Sequence, residues 1–353
     1  MTTAAAGQPE TAVPPACAAV PRAAVLCGLG AWTPPDVLTN EQLTEVLPVT
    51  DGWIRKRTGI AVRHVAAPGM ATSELAAEAG QRALKSAGIE TVDALVLATT
   101  TPDRPCPATA PQVASRLGLG TVAAFDVGAV CAGFVYALAT AAGLVAAGIA
   151  DTVLVIGAEL LTGVLNPRDH ATRVIFGDGA GAVVVRAGRP DELGAIGSFA
   201  LGSDGLDADL ITIPAGGSQQ PHRCGDGDES GRFLRMQGQH VYRRALEVMT
   251  ESSRQALAAA GWPVSSVDWL VCHQANKRIV TAVAARLGVP ADRCLINIEE
   301  VGNTSAASIP LALAHGADTG ALGPGDRVVL TGFGGGLAWG SAVLRWPDIA
   351  GRG

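Results

Sequence analysis

Short apolar runs divide the chain. ALVLATT (94–100), VLVIG (153–157) and VVLTG (328–332) each hold a few consecutive apolar residues and stop at Thr or Gly. Runs this short predict strands of sheets covered on both faces. Between them lie Ala-rich segments of helical composition, such as QRALKSAG (81–88) and RQALAAAG (254–261), each ending in Gly. The longest apolar helix, FVYALATAAGLVAAG (134–148), follows a short strand, AAFDV (123–127), and a tight turn. Polar residues and Gly interrupt every apolar stretch well short of the roughly 20 residues that span a bilayer. No membrane span is expected.

The pattern occurs twice. QRALKSAGIETVDALVLATT (81–100) resembles RQALAAAGWPVSSVDWLVCHQ (254–274). VASRLGLG (113–120) resembles VAARLGVP (283–290), and AAFDVGAVCAG (123–133) resembles CLINIEEVGNTSA (294–306). DTVLVIGAE (151–159) resembles DRVVLTGFG (326–334), and GDGAGAVVVRAG (177–188) resembles GGGLAWGSAVLRWP (334–347). Val92 and Val267 are 175 positions apart, as are Asp151 and Asp326. Five matches in one order predict two pseudo-symmetric α/β halves, residues 22–190 and 191–350, after a loose Ala- and Pro-rich tail at 1–21. Helices would lie outside and between two sheets, with the site at the carboxyl ends of strands of both halves.

Composition narrows the function. Hydrophobic residues make up 48% and charged residues 16%, enough apolar content for a large core. A net charge of −6 argues against general nucleic-acid binding. The seven cysteines include no CxxC pair, so neither a disulfide framework nor a metal site is expected, and a reducing cytoplasm is.

Three residues stand just past strands where the halves should meet. Cys131 follows AAFDV, His273 follows DWLVC, and Asn303 follows CLINI. Cys131 and Asn303 are 172 positions apart and are expected to face each other across the pseudo-axis. A thiol at a helix N-terminus meets free N–H groups and the positive end of the dipole, both of which favour the thiolate. His273 could help activate it, and Asn303 could add an uncharged N–H donor for a substrate oxygen. Asn303 could equally cap the following helix, and His273 could be a hydrogen-bonded core residue. The Gly-rich GFGGGLAWGS (332–341) and IFGDGAGAVVV (175–185) lack the Lys-Ser/Thr ending of a P-loop.

DVGAVCAGFVYAL, HQANKRI, GNTSAASIP and FGGGLAWGSA together resemble the β-ketoacyl-acyl carrier protein synthase III family of the thiolase superfamily, as do DGWIRKRTGI (51–60), IFGDGAGA (175–182) and LGSDG (202–206). The likeness runs from about residue 23 to 347. It implies a five-layered αβαβα thiolase-like fold and a homodimer. It implies that Cys131 takes an acyl group from acyl-CoA, and that His273 and Asn303 hold the thioester carbonyl of malonyl-acyl carrier protein while CO2 leaves. The N–H groups of Cys131 and Gly335 would form the oxyanion hole, with Phe333 beside the malonyl group. No metal or resident cofactor is implied.

The same resemblance places coenzyme A against Trp53, Arg57, Asn276 and Arg278, and the acidic carrier protein against Arg243, Arg278 and Arg286. Two departures stand out. His170 occupies the position of an expected CoA-contacting Arg, and Cys106 stands where acetyl-specific members often carry Phe. Cys106, with Leu161 and Phe176, implies room for a starter larger than acetyl, in fatty-acid or polyketide synthesis. The insert 214–232, with His222 and Cys224, is expected to be a surface loop near the mouth. An acyltransferase acting on an alcohol or amine is the alternative; an Asp in place of Asn303 would suit it better. A non-catalytic partner subunit would lack the three residues.

Overall fold

The computed structural model describes residues 22–221 and 229–349. The expected tail at 1–21, His222 and Cys224 lie outside the described residues.

Two sheets carry the fold. The first comprises Ala23–Trp32 (β1), Ala94–Ala98 (β2), Ala123–Val127 (β3), Thr152–Glu159 (β4) and Gly179–Gly188 (β5), in the order β1-β5-β4-β2-β3. The second comprises Ile196–Ser203 (β6), Trp269–Cys272 (β7), Arg327–Gly334 (β8) and Ala338–Arg345 (β9), in the order β7-β8-β9-β6. The duplication read from the sequence is visible in the register. Ala94 pairs with Val153 in parallel strands of the first sheet, and Trp269 pairs with Val328 in the second, each partner 175 positions from its counterpart. The short apolar runs are buried throughout β2 and almost throughout β4 and β8.

Five helices cover and separate the sheets: Thr72–Ala87 (α1), Gly133–Ala146 (α2), Gly238–Ala259 (α3), Lys277–Leu287 (α4) and Ser308–Asp318 (α5). Helices α2 and α5 form the middle layer, where Phe134, Leu138, Ile309 and Leu313 join one core with residues of both sheets. The sheets cover most of α2, which agrees with the absence of charge in FVYALATAAGLVA. Helix α1 packs on the outside of the first sheet through Leu75, Ala76, Ala79 and Ala83, at helical spacing. Helices α3 and α4 pack outside the second sheet through Val241, Met249, Val280 and Val283. The result is the expected five-layered αβαβα stack. Among the described residues no helix is long and apolar enough to cross a membrane.

Two expectations are corrected. CLINI does not form a strand; Cys294 makes only an isolated bridge to Leu270. The Gln274 side chain takes over the polar work there, donating to Leu295 O at 3.1 Å and accepting from Asn297 N–H at 3.3 Å. The second correction concerns the match between the halves. Val130 and Ser305, 175 apart, are the two non-glycine residues with positive φ, +46° and +48°, among the described residues. Each begins a 3-10 turn (130–132 and 305–307) that runs into α2 or α5. The structural counterpart of Cys131 is therefore Ala306, not Asn303.

Candidate active site

The turns at 130–132 and 305–307 meet each other, the first packed on strand β8 and the second on strand β4. Gly157 permits this: a Cβ there would lie 2.3 Å from the Ala306 carbonyl oxygen. Glu159, two residues further on and so on the same face of β4, thereby reaches Ser305. The left-handed conformation of Val130 is costly for a β-branched residue, and it is held where the chain must turn sharply into α2.

Cys131, His273 and Asn303 are all buried and line one enclosed, mostly apolar cavity. Phe333, Leu161 and Phe176 belong to the same wall. His273 follows β7. Its Nδ1 lies 2.6 Å from Ser308 Oγ, and Ser308 Oγ also accepts the Gln274 N–H at 3.3 Å. A Ser308 proton directed at Nδ1 would put the imidazole N–H on Nε2. The Asn303 carbonyl oxygen accepts Ser305 N–H at 2.9 Å, so the amide is turned with its NH2 as the remaining donor. Asn303 therefore does not cap α5, whose N-cap is Ala307; it closes a local turn at the start of the 305–307 segment.

The expected thiolate is not the resting state. Burial pushes the Cys131 thiol up to about 12, the Ser305 hydroxyl pulls the other way, and Glu159 adds to the rise. The favourable field of a helix N-terminus is outweighed by desolvation. Burial likewise pushes His273 down to about 3, so the imidazole is neutral. Thiol and imidazole rest uncharged, and His273 is suited to donating a hydrogen bond rather than to holding a proton.

Gly334 and Gly335 divide their work. A Cβ on Gly334 would lie 2.5 Å from the Cys131 backbone nitrogen, so this glycine lets β8 press against the Cys131 N–H. Gly335, the expected second oxyanion donor, follows it and faces Ile211, whose carbonyl oxygen lies 3.0 Å from a Cβ built there.

A second, more open cavity is lined by Trp53, Arg57, His170, Arg243, Asn276 and Arg278. Met236 belongs to the walls of both cavities and marks their junction. The Arg57 guanidinium sits 5.4 Å from the Trp53 ring centroid, and the His170 ring lies edge-on to Trp53 at 6.1 Å. Arg278 sits 5.8 Å from the Tyr242 ring. The Asn276 amide is already engaged: Nδ2 donates to Arg57 O at 2.8 Å, and Oδ1 caps α4 by accepting Arg278 N–H at 2.8 Å.

Two expected residues stand apart. Arg286, on the last turn of α4, lines a separate surface depression beside Glu247 and Glu251. Cys106 is exposed and is not among the residues lining either cavity. No cluster of His, Cys, Asp or Glu among the described residues could hold a metal ion.

Sequence reasoning missed Glu159, Thr100, Ser305 and Ser308. One signal was available: Glu159 ends an otherwise apolar strand, TVLVIGAE, and a fully buried carboxylate needs partners. It has four donors, Thr100 N–H and Oγ1 at 3.0 Å each, Thr101 Oγ1 at 3.1 Å and Ser305 Oγ at 2.9 Å.

Comparison with known proteins agrees with this geometry. Two family models match, 3-oxoacyl-[acyl-carrier-protein] synthase III over residues 125–205 and its C-terminal model over 257–346. The chain is 56% identical over 330 residues to β-ketoacyl-[acyl-carrier-protein] synthase III 3 of Streptomyces coelicolor, covering 93% of this chain and 98% of the relative. A crystal structure of 3-oxoacyl-(acyl carrier protein) synthase III from Pseudomonas aeruginosa superposes with a TM-score of 0.88 at 50% identity, covering 93% of this chain and all of that one. The priming β-ketosynthase of the R1128 polyketide pathway superposes at 0.86 with 33% identity, over 96% of this chain and 99% of that one. With relatives this close across nearly its whole length, the chain belongs to the β-ketoacyl-acyl carrier protein synthase III family.

Proposed function

We propose that the chain condenses an acyl starter from acyl-CoA with malonyl-acyl carrier protein, releasing CO2 and giving a β-ketoacyl product two carbons longer. The observation that carries this reading is the convergence of Cys131, His273 and Asn303 on one enclosed cavity. Coenzyme A enters through the wider cavity, its adenine end against Trp53 and Arg57, with His170 in place of a guanidinium. The Cys131 sulfur attacks the thioester carbonyl, and the N–H groups of Cys131 and Gly335 hold the developing oxyanion. The malonyl thioester then takes the place of coenzyme A. His273 Nε2–H and the Asn303 amide donate to its carbonyl as CO2 leaves, and the carbanion attacks the acyl-Cys131 carbon. Phe333 packs against the departing carboxylate.

The starter lies in the channel between Leu161, Phe176 and Met249, an apolar lining that suits an unfunctionalised acyl chain. Two methionines, Met236 and Met249, are unbranched and repack readily around chains of different length. A homodimer brings the exposed Cys106 of one copy to the base of the other's channel. There its small side chain leaves room for a starter larger than acetyl. The carrier protein docks on Arg243 and Arg278, with Arg286 further along α4.

The test is intact-protein mass after incubation with acetyl-, isobutyryl- and octanoyl-CoA, with Cys131→Ala as control, followed by malonyl-acyl carrier protein. An adduct that needs Cys131 and leaves as a β-ketoacyl product is expected. An adduct that malonyl-acyl carrier protein cannot discharge points to transfer onto an alcohol or amine instead.

A further inference from the structure

The overall condensation consumes one proton, because a malonyl carboxylate leaves as CO2 and a thiol is released. That proton must enter at one of the two half-reactions, and the thiol proton of Cys131 must be held somewhere while the sulfur is acylated. A candidate holder lies outside the cavity lining. Glu159 is fully buried, and it is hydrogen-bonded to Ser305, which lines the cavity together with Cys131. The Ser305 hydroxyl donates to Glu159 Oε1 at 2.9 Å, and the same hydroxyl faces the Cys131 sulfur, whose anion it would stabilise. One hydroxyl has one proton to give, so it cannot satisfy a carboxylate and a thiolate at once. The remaining partners of Glu159 are Thr100 and Thr101; no Arg or Lys is hydrogen-bonded to it among the described residues. The titratable groups facing this chain are Cys131, Glu159 and His273, the last set beside the Ser305 backbone. Two buried anions without a cation between them repel strongly. At most one of Cys131 and Glu159 is therefore an anion at any time.

Resting on the acyl-Cys131 reading, we propose that Ser305 relays the Cys131 proton to Glu159 during acylation, and that Glu159 stores it until the product leaves. In the first half-reaction the Cys131 Sγ bonds to the acyl carbon and the carbon–sulfur bond to coenzyme A breaks. The thiol proton passes to Ser305 Oγ, whose own proton moves to Glu159 Oε1. The coenzyme A sulfur leaves with the bonding pair and takes a proton from water. In the second half-reaction the carbanion bonds to the acyl carbon and the bond to Cys131 breaks. The sulfur keeps that pair and recovers its proton from Glu159 through Ser305. The net uptake is one proton per turnover, all of it in the first half-reaction. Burial raises the Glu159 carboxyl above its usual range while His273 is pushed down to about 3, so the carboxylate outcompetes the imidazole for the proton.

The test mixes the full-length enzyme with one equivalent of acetyl-, isobutyryl- or octanoyl-CoA, whichever loads, in weak buffer at pH 7 with an indicator dye. Intact mass counts the acyl-Cys131 formed in the same sample. The expected result is about one proton taken up per acyl group loaded, and none on later addition of malonyl-acyl carrier protein. Glu159→Gln, close to isosteric, should load roughly 100-fold more slowly and shift the uptake to the malonyl step; Ser305→Ala should slow loading comparably. An adduct that forms in the native enzyme without proton uptake overturns the storage role and leaves the acyl-Cys131 reading standing. Unchanged uptake in Glu159→Gln overturns it as well. Absence of any adduct overturns both.

Discussion

The turns at 130–132 and 305–307 are the same piece of backbone used for two purposes. Both open on a residue forced to positive φ, both continue as one 3-10 turn, and both feed a helix of the middle layer. In the first, the strained residue is Val130 and the chemistry belongs to its successor, Cys131. In the second, the successor is Ala306, packed against the backbone at Gly157, and the polar side chain is that of the strained residue, Ser305. Duplication gave the enzyme two equivalent corners facing one cavity. The differences in side chain put a thiol at one corner and a hydroxyl at the other.

The largest effect follows from moving the thiol. Cys131→Ala should abolish acyl loading, a loss of about 10⁴-fold or more, because no other thiol lines the cavity. Adding Ala306→Cys to that variant should not restore it. Ala306 is buried against Gly157 and Gly133, so the relocated sulfur would overpack the core, at a cost of about 1–3 kcal/mol, without reaching acyl-CoA. Intact mass and thermal unfolding read the two outcomes; an adduct at position 306 would break the comparison.

Asn303→Asp should separate the half-reactions. A carboxylate offers acceptors where the enolate oxygen needs a donor, so condensation should fall about 10²–10³-fold. Loading of Cys131 should change by less than about 10-fold. Single-turnover loading and malonyl discharge, measured separately, check this; equal losses in both steps would contradict the division of labour.

A smaller effect is expected at the strained residue itself. Val130→Gly relieves a positive φ worth about 1–2 kcal/mol and gives up a similar amount in chain entropy and packing. Stability should therefore change by less than about 1 kcal/mol in urea, while loading slows because the Cys131 turn is less rigid. A gain of several kcal/mol would mean that the strain is larger than this corner can offset.

The pH dependence of stability gives the subtlest test. His273 titrates near 6.5 when unfolded and is held down to about 3 in the fold by burial. Below 6.5 the unfolded chain binds a proton that the native site refuses, so stability is full above 6.5 and falls progressively as pH drops toward 3. His273→Gln should flatten that slope in urea titrations between pH 6.5 and 4; an unchanged slope would place the burden on another group.

Cys131, His273 and Asn303 were legible because each follows a short apolar run, a strand for the first two, and because the long motifs around them resemble one family over most of the chain. Leu161, Phe176 and Phe333 were legible through the same resemblance, and all line the cavity. Glu159 and Ser305 were not, since their meaning lies in a contact across 146 positions. Ser308 was hidden for the same reason, 35 positions from the ring it orients.

The sequence alone determined the layered α/β architecture, because strand length, apolar content and the 175-residue repeat are local or periodic properties. It also determined which residue types are available for chemistry. Only the tertiary structure decided their state. Whether Cys131 rests as thiol or thiolate depends on how completely water is excluded, and burial there outweighs the helix field that the local sequence suggests. The pairing of Val130 with Ser305, rather than Cys131 with Asn303, was likewise fixed in three dimensions, because backbone conformation and not residue identity defines the equivalent corner.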